Sequence, residues 1–271
     1  MSPACGGDFF IATALSKARA AEEGADATEL CWFNAVIASN EQQRLAVEHI
    51  VKGDYWAAPY VVFGPTGTGK TMTLIESVAQ IVSRHAAGGG GGDGGGDGDG
   101  GGGGRAARVL VCTPSNASAD LVCRLLVDKK YMDAKFVLRF CAVSRPPHDV
   151  HSSTVRACNN LQFDWFSGSG QAVGFYLPSK EYMGRYFVVV STLVSAGRLV
   201  TGGFDSRSFT HVFVDEAGQA TEAETLVVLA GDPMQLGPVL HSRLALRCQL
   251  NVSLIERLMR HCEPYERDSR R

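Results

Sequence analysis

The chain has almost no net charge: 26 Lys and Arg against 28 Asp and Glu leave a formal −2 over 271 residues. That balance removes any global electrostatic case for nucleic acid. None of its eight cysteines forms a C-x-x-C pair. This argues against a disulfide framework and for reduced, cytosolic thiols, so a cytoplasmic location is expected. There is no 18-residue apolar run and no signal-peptide pattern, so neither a membrane span nor secretion is expected. Without secretion, the formal glycosylation triplets at Asn116 and Asn251 carry no meaning. His148, His151 and Cys158 match no familiar zinc spacing. The hydrophobic content of 45% suffices for one good core.

What the chain does have is a phosphate-binding loop: Gly64-Pro65-Thr66-Gly67-Thr68-Gly69-Lys70-Thr71. Glycines let consecutive backbone N–H groups converge on phosphate oxygens, and a following helix adds the positive end of its dipole. In this pattern Lys70 reaches the β- and γ-phosphates and the Thr71 hydroxyl ligates Mg²⁺. A chance glycine-rich turn would lack the context. Here Tyr60-Val-Val-Phe63 reads as a buried strand entering the loop, and Leu74, Ile75, Val78, Ile81 and Val82 recur afterwards at helical spacing.

Five continuously apolar runs read as strands buried on both faces: 60–63, 108–112, 187–191, 211–215 and 226–230. Helical patterns between several of them, notably Asn116 to Leu126, predict an α/β fold with ligands at the carboxyl ends of a parallel sheet. Residues 1–29 lack a pattern and are expected to be a weak helix or disordered leader. Residues 88–104 hold fourteen glycines and three aspartates, the composition of a flexible insert. Ser253-Leu-Ile-Glu256 is a capping box for a helix near 253–261. Arg105, Arg108, Arg124, Lys129, Lys130, Lys135, Arg139 and Arg145 crowd one stretch against four aspartates. Charge alone leaves open whether that stretch is a solvated face or a phosphate-tracking surface.

The run Val212-Phe-Val-Asp215-Glu216 is an apolar strand ending in two acids. After a phosphate loop, the first acid belongs to the Mg²⁺ shell and the second can activate the attacking water. Gln235, in Gly231-Asp-Pro-Met-Gln235-Leu-Gly-Pro238, could sense the γ-phosphate or be part of a polar turn.

In order, the phosphate loop, Thr113-Pro-Ser-Asn116, Val190-Ser-Thr192, Asp215-Glu-Ala-Gly218 and Gly231–Pro238 resemble superfamily 1 helicase motifs I, Ia, Ic, II and III. The chain most resembles the Armitage and plant silencing-defective group of RNA helicases, relatives of the nonsense-mediated-decay helicase. Thr113–Asp120, Phe209–Ala220 and Asn251–Leu258 add to the likeness, which covers about residues 30–262. It implies a P-loop NTPase with a RecA-like parallel sheet flanked by helices, followed by a tail at 263–271. It also implies ATP and Mg²⁺ as cofactors, single-stranded RNA as partner, and a role in small-RNA silencing beside Argonaute-pathway proteins. By the same resemblance Gln43 reads adenine, although Asn40 and Gln43 also fit a helix capping box. Pro114, Ser115 and Asn116 would touch the RNA backbone, with Ser115 equally suited to a helix cap. Ser191 and Thr192 would add strand contacts, Glu216 would be the general base, and Gln235 would couple γ-phosphate to RNA.

The sequence departs from the family pattern in three ways. A second RecA-like domain is not expected after motif III, nor are its transition-state arginines, and unwinding by this chain alone is not expected either. The alternative is a fragment that binds nucleotide or RNA without turnover, or competes with a full-length helicase. Residues 216–225 are shorter than the dozen or more that a parallel crossover needs, so a lost helix is expected there. Thr66 stands where proline is usual.

Overall fold

The computed structural model describes residues 30–53, 59–65, 67–88, 107–158, 160–164, 170–204, 208–221, 229–231, 252–254 and 256–257. The expected leader and tail, residues 89–104 of the glycine-rich insert, Thr66 and Gln235 lie outside the described residues.

The strands are β1 (Val61–Phe63), β2 (Val109–Thr113), β3 (Val137–Phe140), β4 (Leu161–Phe163), β5 (Ala172–Phe175), β6 (Val188–Thr192), β7 (His211–Val214) and β8 (Leu229–Gly231). Six of them form one parallel sheet in the order β1-β8-β7-β2-β6-β3, and β4 pairs antiparallel with β5 as a separate ribbon. The helices are α1 (Ala35–Ser39), α2 (Glu41–Lys52), α3 (Lys70–Gly88), α4 (Asn116–Asp128), α5 (Ser152–Val155), α6 (Lys180–Met183) and α7 (Leu193–Thr201). The α/β fold with a parallel sheet flanked by helices is therefore the architecture observed.

Alternate residues of each strand enter different cores, which is why the runs are apolar throughout. Val109, Val111, Val188, Val190 and Phe213 pack with Leu74, Ile75 and Val78 of α3 and Val122 and Leu126 of α4. Leu110, Cys112, Val189 and Val214 face the other way, towards Met183 of α6 and Leu193 and Leu199 of α7. Side-chain caps start the helices: Asn34 accepts from the Val36 N–H, Asn40 from Gln43 and Ser115 from Ser118. Ser253 likewise accepts from the Glu256 N–H at 3.3 Å, as the capping-box pattern predicted.

The structure bears on two expectations. Of the strand expected at 226–230, Leu229 and Ala230 lie in β8, with residues 226–228 outside the described residues. The stretch before β8, where a lost helix is expected, lies partly outside them too. The basic stretch is also not one solvated face. Arg139 lies on β3, a strand that the sequence reading omitted, and is 0% exposed; Arg145 is 8% exposed.

Both arginines grip Asp120 of α4. Arg139 Nε donates to Asp120 Oδ1 at 2.7 Å, and Arg145 Nη1 and Nη2 reach Oδ1 and Oδ2 at 3.0 and 2.6 Å. Burial would raise the Asp120 pKa, but the Arg145 hydrogen bonds and the Arg139 charge outweigh it and hold the carboxyl below its usual value. A depressed folded pKa supplies stability above the unfolded value of about 4, lost as pH falls through the folded one. Asp120→Asn should therefore lower stability by about 3 kcal/mol or more, because it strands a buried guanidinium. Urea unfolding would show a lower midpoint at unchanged slope, and the variant should lose less further stability than the parent between pH 5 and 3.

Candidate nucleotide and nucleic-acid site

The strand order decides what meets at the sheet's carboxyl edge. Phe63 is in register with Gly231, Val214 with both Leu229 and Cys112, and Thr113 with Thr192. The phosphate loop and the Asp215-Glu216 pair thus occupy one half of that edge, and motifs Ia and Ic the other. This is the carboxyl edge at which open α/β sheets bind ligands.

At the loop, Gly67 and Gly69 hold φ of +81° and +87°, a backbone state that side chains seldom adopt. A Cβ at Gly69 would also sit 2.7 Å from Gln43 Nε2. Thr68 Oγ1 donates to the Pro65 carbonyl at 2.8 Å, and Lys70 Nζ donates to the Gly64 and Pro65 carbonyls at 2.6 and 2.9 Å. The ammonium therefore lies along the inside of the loop, where a phosphate would replace carbonyl partners with stronger ones. Gln43 reaches the loop from α2: its Nε2 donates to Thr68 O at 3.2 Å and Thr73 Oγ1 at 3.1 Å. Asn40 accepts from the Gln43 backbone N–H at 3.2 Å. The cap uses the Gln43 main chain and leaves its side chain for the loop.

Across the cleft, Thr71 Oγ1 donates to Asp215 Oδ2 at 2.9 Å, joining residues 144 apart in sequence. The Glu216 N–H donates to Asp215 Oδ1 at 3.0 Å. Glu216 adopts the left-handed region at φ +54°, ψ +35°, a conformation with a real cost for a non-glycine residue. That turn aims its carboxylate away from the strand, where Oε2 accepts from Gln219 Nε2 at 3.1 Å. Asp215 is 3% exposed. Burial pushes its carboxyl up to about 6, against the Thr71 hydrogen bond and with help from the neighbouring Glu216 charge. A hydroxyl and a carboxylate converging beside a lysine form a hard, oxygen-rich donor pair, which fits Mg²⁺.

In the other half, Pro114 is half-buried and Ser115 and Asn116 are exposed. Ser115 Oγ is engaged as the α4 cap, and Asn116 Oδ1 accepts from Arg139 Nη2 at 3.0 Å. Asn116 is thereby tied through Arg139 to Asp120, a connection the sequence reading missed. Its only advance sign was the apolar run Phe136–Phe140 interrupted by a single arginine. Ser191 is fully buried, its Oγ without a hydrogen-bond partner among the described residues. Thr192 is nearly so, and its Oγ1 is spent on Ser195 at the start of α7. Any strand contact from these two falls to backbone groups. The described cysteines Cys31, Cys112, Cys123, Cys141 and Cys158 are free thiols. Among the described residues no group of three or more His, Cys, Asp or Glu side chains could hold a metal ion, and no helix is long and apolar enough to cross a membrane.

The raised Asp215 pKa has a consequence for stability. Its folded carboxyl holds a proton more tightly than an unfolded one does, so its contribution is full below about pH 4 and is lost as pH rises through about 6. In nucleotide-free protein, Asp215→Asn should raise stability at pH 7.5 by about 1–3 kcal/mol. Thermal unfolding with and without Mg²⁺·ATP would show that gain together with loss of the ligand-induced shift.

Comparison with known proteins agrees with this geometry. Residues 38–166 and 178–243 match the AAA domain family. The mov-10-B.2 protein of Danio rerio, whose name describes a helicase, is 39% identical over 248 residues, covering 87% of this chain and 22% of that protein. The RNA helicase Mov10l1 of Homo sapiens is 38% identical over 254 residues, 89% of this chain and 18% of that protein. The armi protein of Drosophila melanogaster, named as an RNA helicase, is 34% identical over 265 residues, 90% and 20% respectively. The chain spans about a fifth of the length of the curated relatives it matches. With the phosphate loop and the acidic pair on one sheet edge and this match, the chain belongs to the AAA domain family, and it is similar there to proteins named as helicases.

Proposed function

We propose that the chain is the ATP-binding motor domain of an RNA helicase and couples ATP hydrolysis to its grip on single-stranded RNA. The observation that carries this reading is the Thr71–Asp215 contact, which closes the phosphate loop on the acidic strand end while Gln43 approaches from the opposite side. Thr71 and Asp215 would hold Mg²⁺, and Lys70 would reach the β- and γ-phosphates. The ion, when bound, neutralises charge developing on the phosphoryl oxygens.

Glu216 would orient and deprotonate the attacking water, a task suited to its turned-out carboxylate. Gln43 would face the adenine. Gln235, outside the described residues, would respond to the γ-phosphate. Pro114, Ser115 and Asn116 would follow the RNA backbone, with backbone groups of Ser191 and Thr192 beside them. Names among the relatives support RNA as the polymer, and the Armitage likeness supports small-RNA silencing in the cytoplasm with Argonaute-pathway partners. A full unwinding cycle would require a second motor domain closing on the same nucleotide.

ATP turnover by the purified chain, with and without single-stranded RNA, tests the reading. RNA-stimulated turnover is expected. Lys70→Ala should weaken nucleotide binding at least tenfold, and Glu216→Gln should keep binding while turnover falls by about 10² or more. Tight Lys70-dependent binding of ATP without turnover would instead mean a domain that binds and signals. Absence of ATP binding would sink the proposal.

A further inference from the structure

Helix α3 carries a polar stripe where an apolar one is expected. Thr73, Glu76, Ser77 and Gln80 are each 2% exposed or less. They lie at helical spacing on the face that meets residues 30–52, and burying that much polarity is unfavourable unless each group finds a partner. Three of the four partners lie in or along that segment. Glu76 Oε1 accepts the Phe33 N–H at 2.9 Å and Gln80 Nε2 at 2.9 Å. Gln80 Nε2 also donates to the Cys31 carbonyl at 2.8 Å. Thr73 Oγ1, a turn earlier, accepts from Gln43 Nε2 at 3.1 Å.

The segment is therefore fastened to α3 at two places, by its start near residues 31–33 and by Gln43 at the phosphate loop. Leu30, Ile37 and Val47 of the segment form a small apolar cluster with Trp32, Val51 and Met72, and Ile50 joins the main core near the end of α2. Between the two fastenings Ile37 is the one buried apolar residue, so the hydrogen bonds decide how residues 31–43 sit. Cys31 and Phe33 lead directly into α1, and the Asn40 cap fixes the step from α1 to α2 and hence the direction of Gln43.

We propose that Glu76 and Gln80 are positioning residues for base recognition: they clasp residues 31–33 to α3 and thereby hold the Gln43 amide beside the phosphate loop. This rests on the reading of Gln43 as the adenine-facing residue. Neither side chain touches nucleotide. Their effect is on which base is accepted, because the phosphates are held by a loop that the clasp does not contact.

The test is binding of ATP and of GTP, each with Mg²⁺, to the full chain and to Gln43→Ala, Glu76→Ala, Glu76→Gln and Gln80→Ala, with thermal unfolding of each variant recorded. The parent should prefer ATP, and Gln43→Ala should bring the two affinities together. Glu76→Ala should weaken ATP about tenfold and GTP less than twofold. Glu76→Gln, which keeps an acceptor for the Phe33 N–H, should recover most of the preference. Gln80→Ala, which removes the tie to Cys31 and the Gln80 bond to Glu76 but leaves the Glu76–Phe33 bond in place, should show a smaller loss in the same sense and serves if Glu76→Ala does not fold. Equal weakening of both nucleotides, or an unchanged preference in folded Glu76→Ala and Gln80→Ala, overturns the clasp. A parent without preference, or a silent Gln43→Ala, overturns the adenine reading itself.

Discussion

Burial of the parallel sheet on both faces constrains everything else in this protein. Helices cover each side, so strands such as Val109–Thr113 and Val188–Thr192 have no solvent-facing residues. Polar side chains that act on ligands are confined to the carboxyl edge. There the order of strands, rather than their order in the sequence, sets the neighbours. Because β8 lies between β1 and β7, the strand that precedes Gln235 in the sequence separates the phosphate-loop strand from the acidic one. Thr71 crosses that gap through the first turn of α3 to meet Asp215.

Much of this was legible in advance. Glycines, a lysine and a hydroxyl at fixed offsets have few other uses, and continuous apolar runs announce doubly buried strands. What stayed hidden depended on partners distant in sequence. The β3 run contains Arg139, and Asp120 and Asn116 of α4 together with the Phe140 carbonyl make that arginine acceptable inside a core. The basic stretch looked like a surface until Arg139 and Arg145 proved to share one carboxylate. Gln43 fitted two patterns at once; in the structure its main chain takes the cap, which leaves its side chain beside the loop. Ser191 and Thr192 followed the motif, yet their side chains point into protein, a distinction that no one-dimensional pattern contains.

The site is also held at some expense to the fold. Asp215 is buried beside another acid, and Glu216 sits in a strained backbone region. Under the proposed function a cation and phosphates would offset the cost of the buried acid, which would make the arrangement complementary to ligand rather than to its own folded state. The Glu76–Gln80 stripe follows the opposite logic: apart from Glu76 Oε2, which has no hydrogen-bond partner among the described residues, its side-chain groups bond within the chain and contribute rigidity instead of chemistry.

The enclosed Asp120 cluster separates two responses to ionic strength. Small ions screen charges in solvent far better than pairs closed off from it, and the grip of a protein on nucleic-acid phosphates weakens steeply as salt rises. Arg139, which braces Asn116, and Arg145, which shares its carboxylate partner, are thus insulated from the very variable that governs how tightly an RNA strand would be held there. Under the proposed function, salt would detach the polymer while the surface that received it kept its shape, so release would not need to be followed by rebuilding.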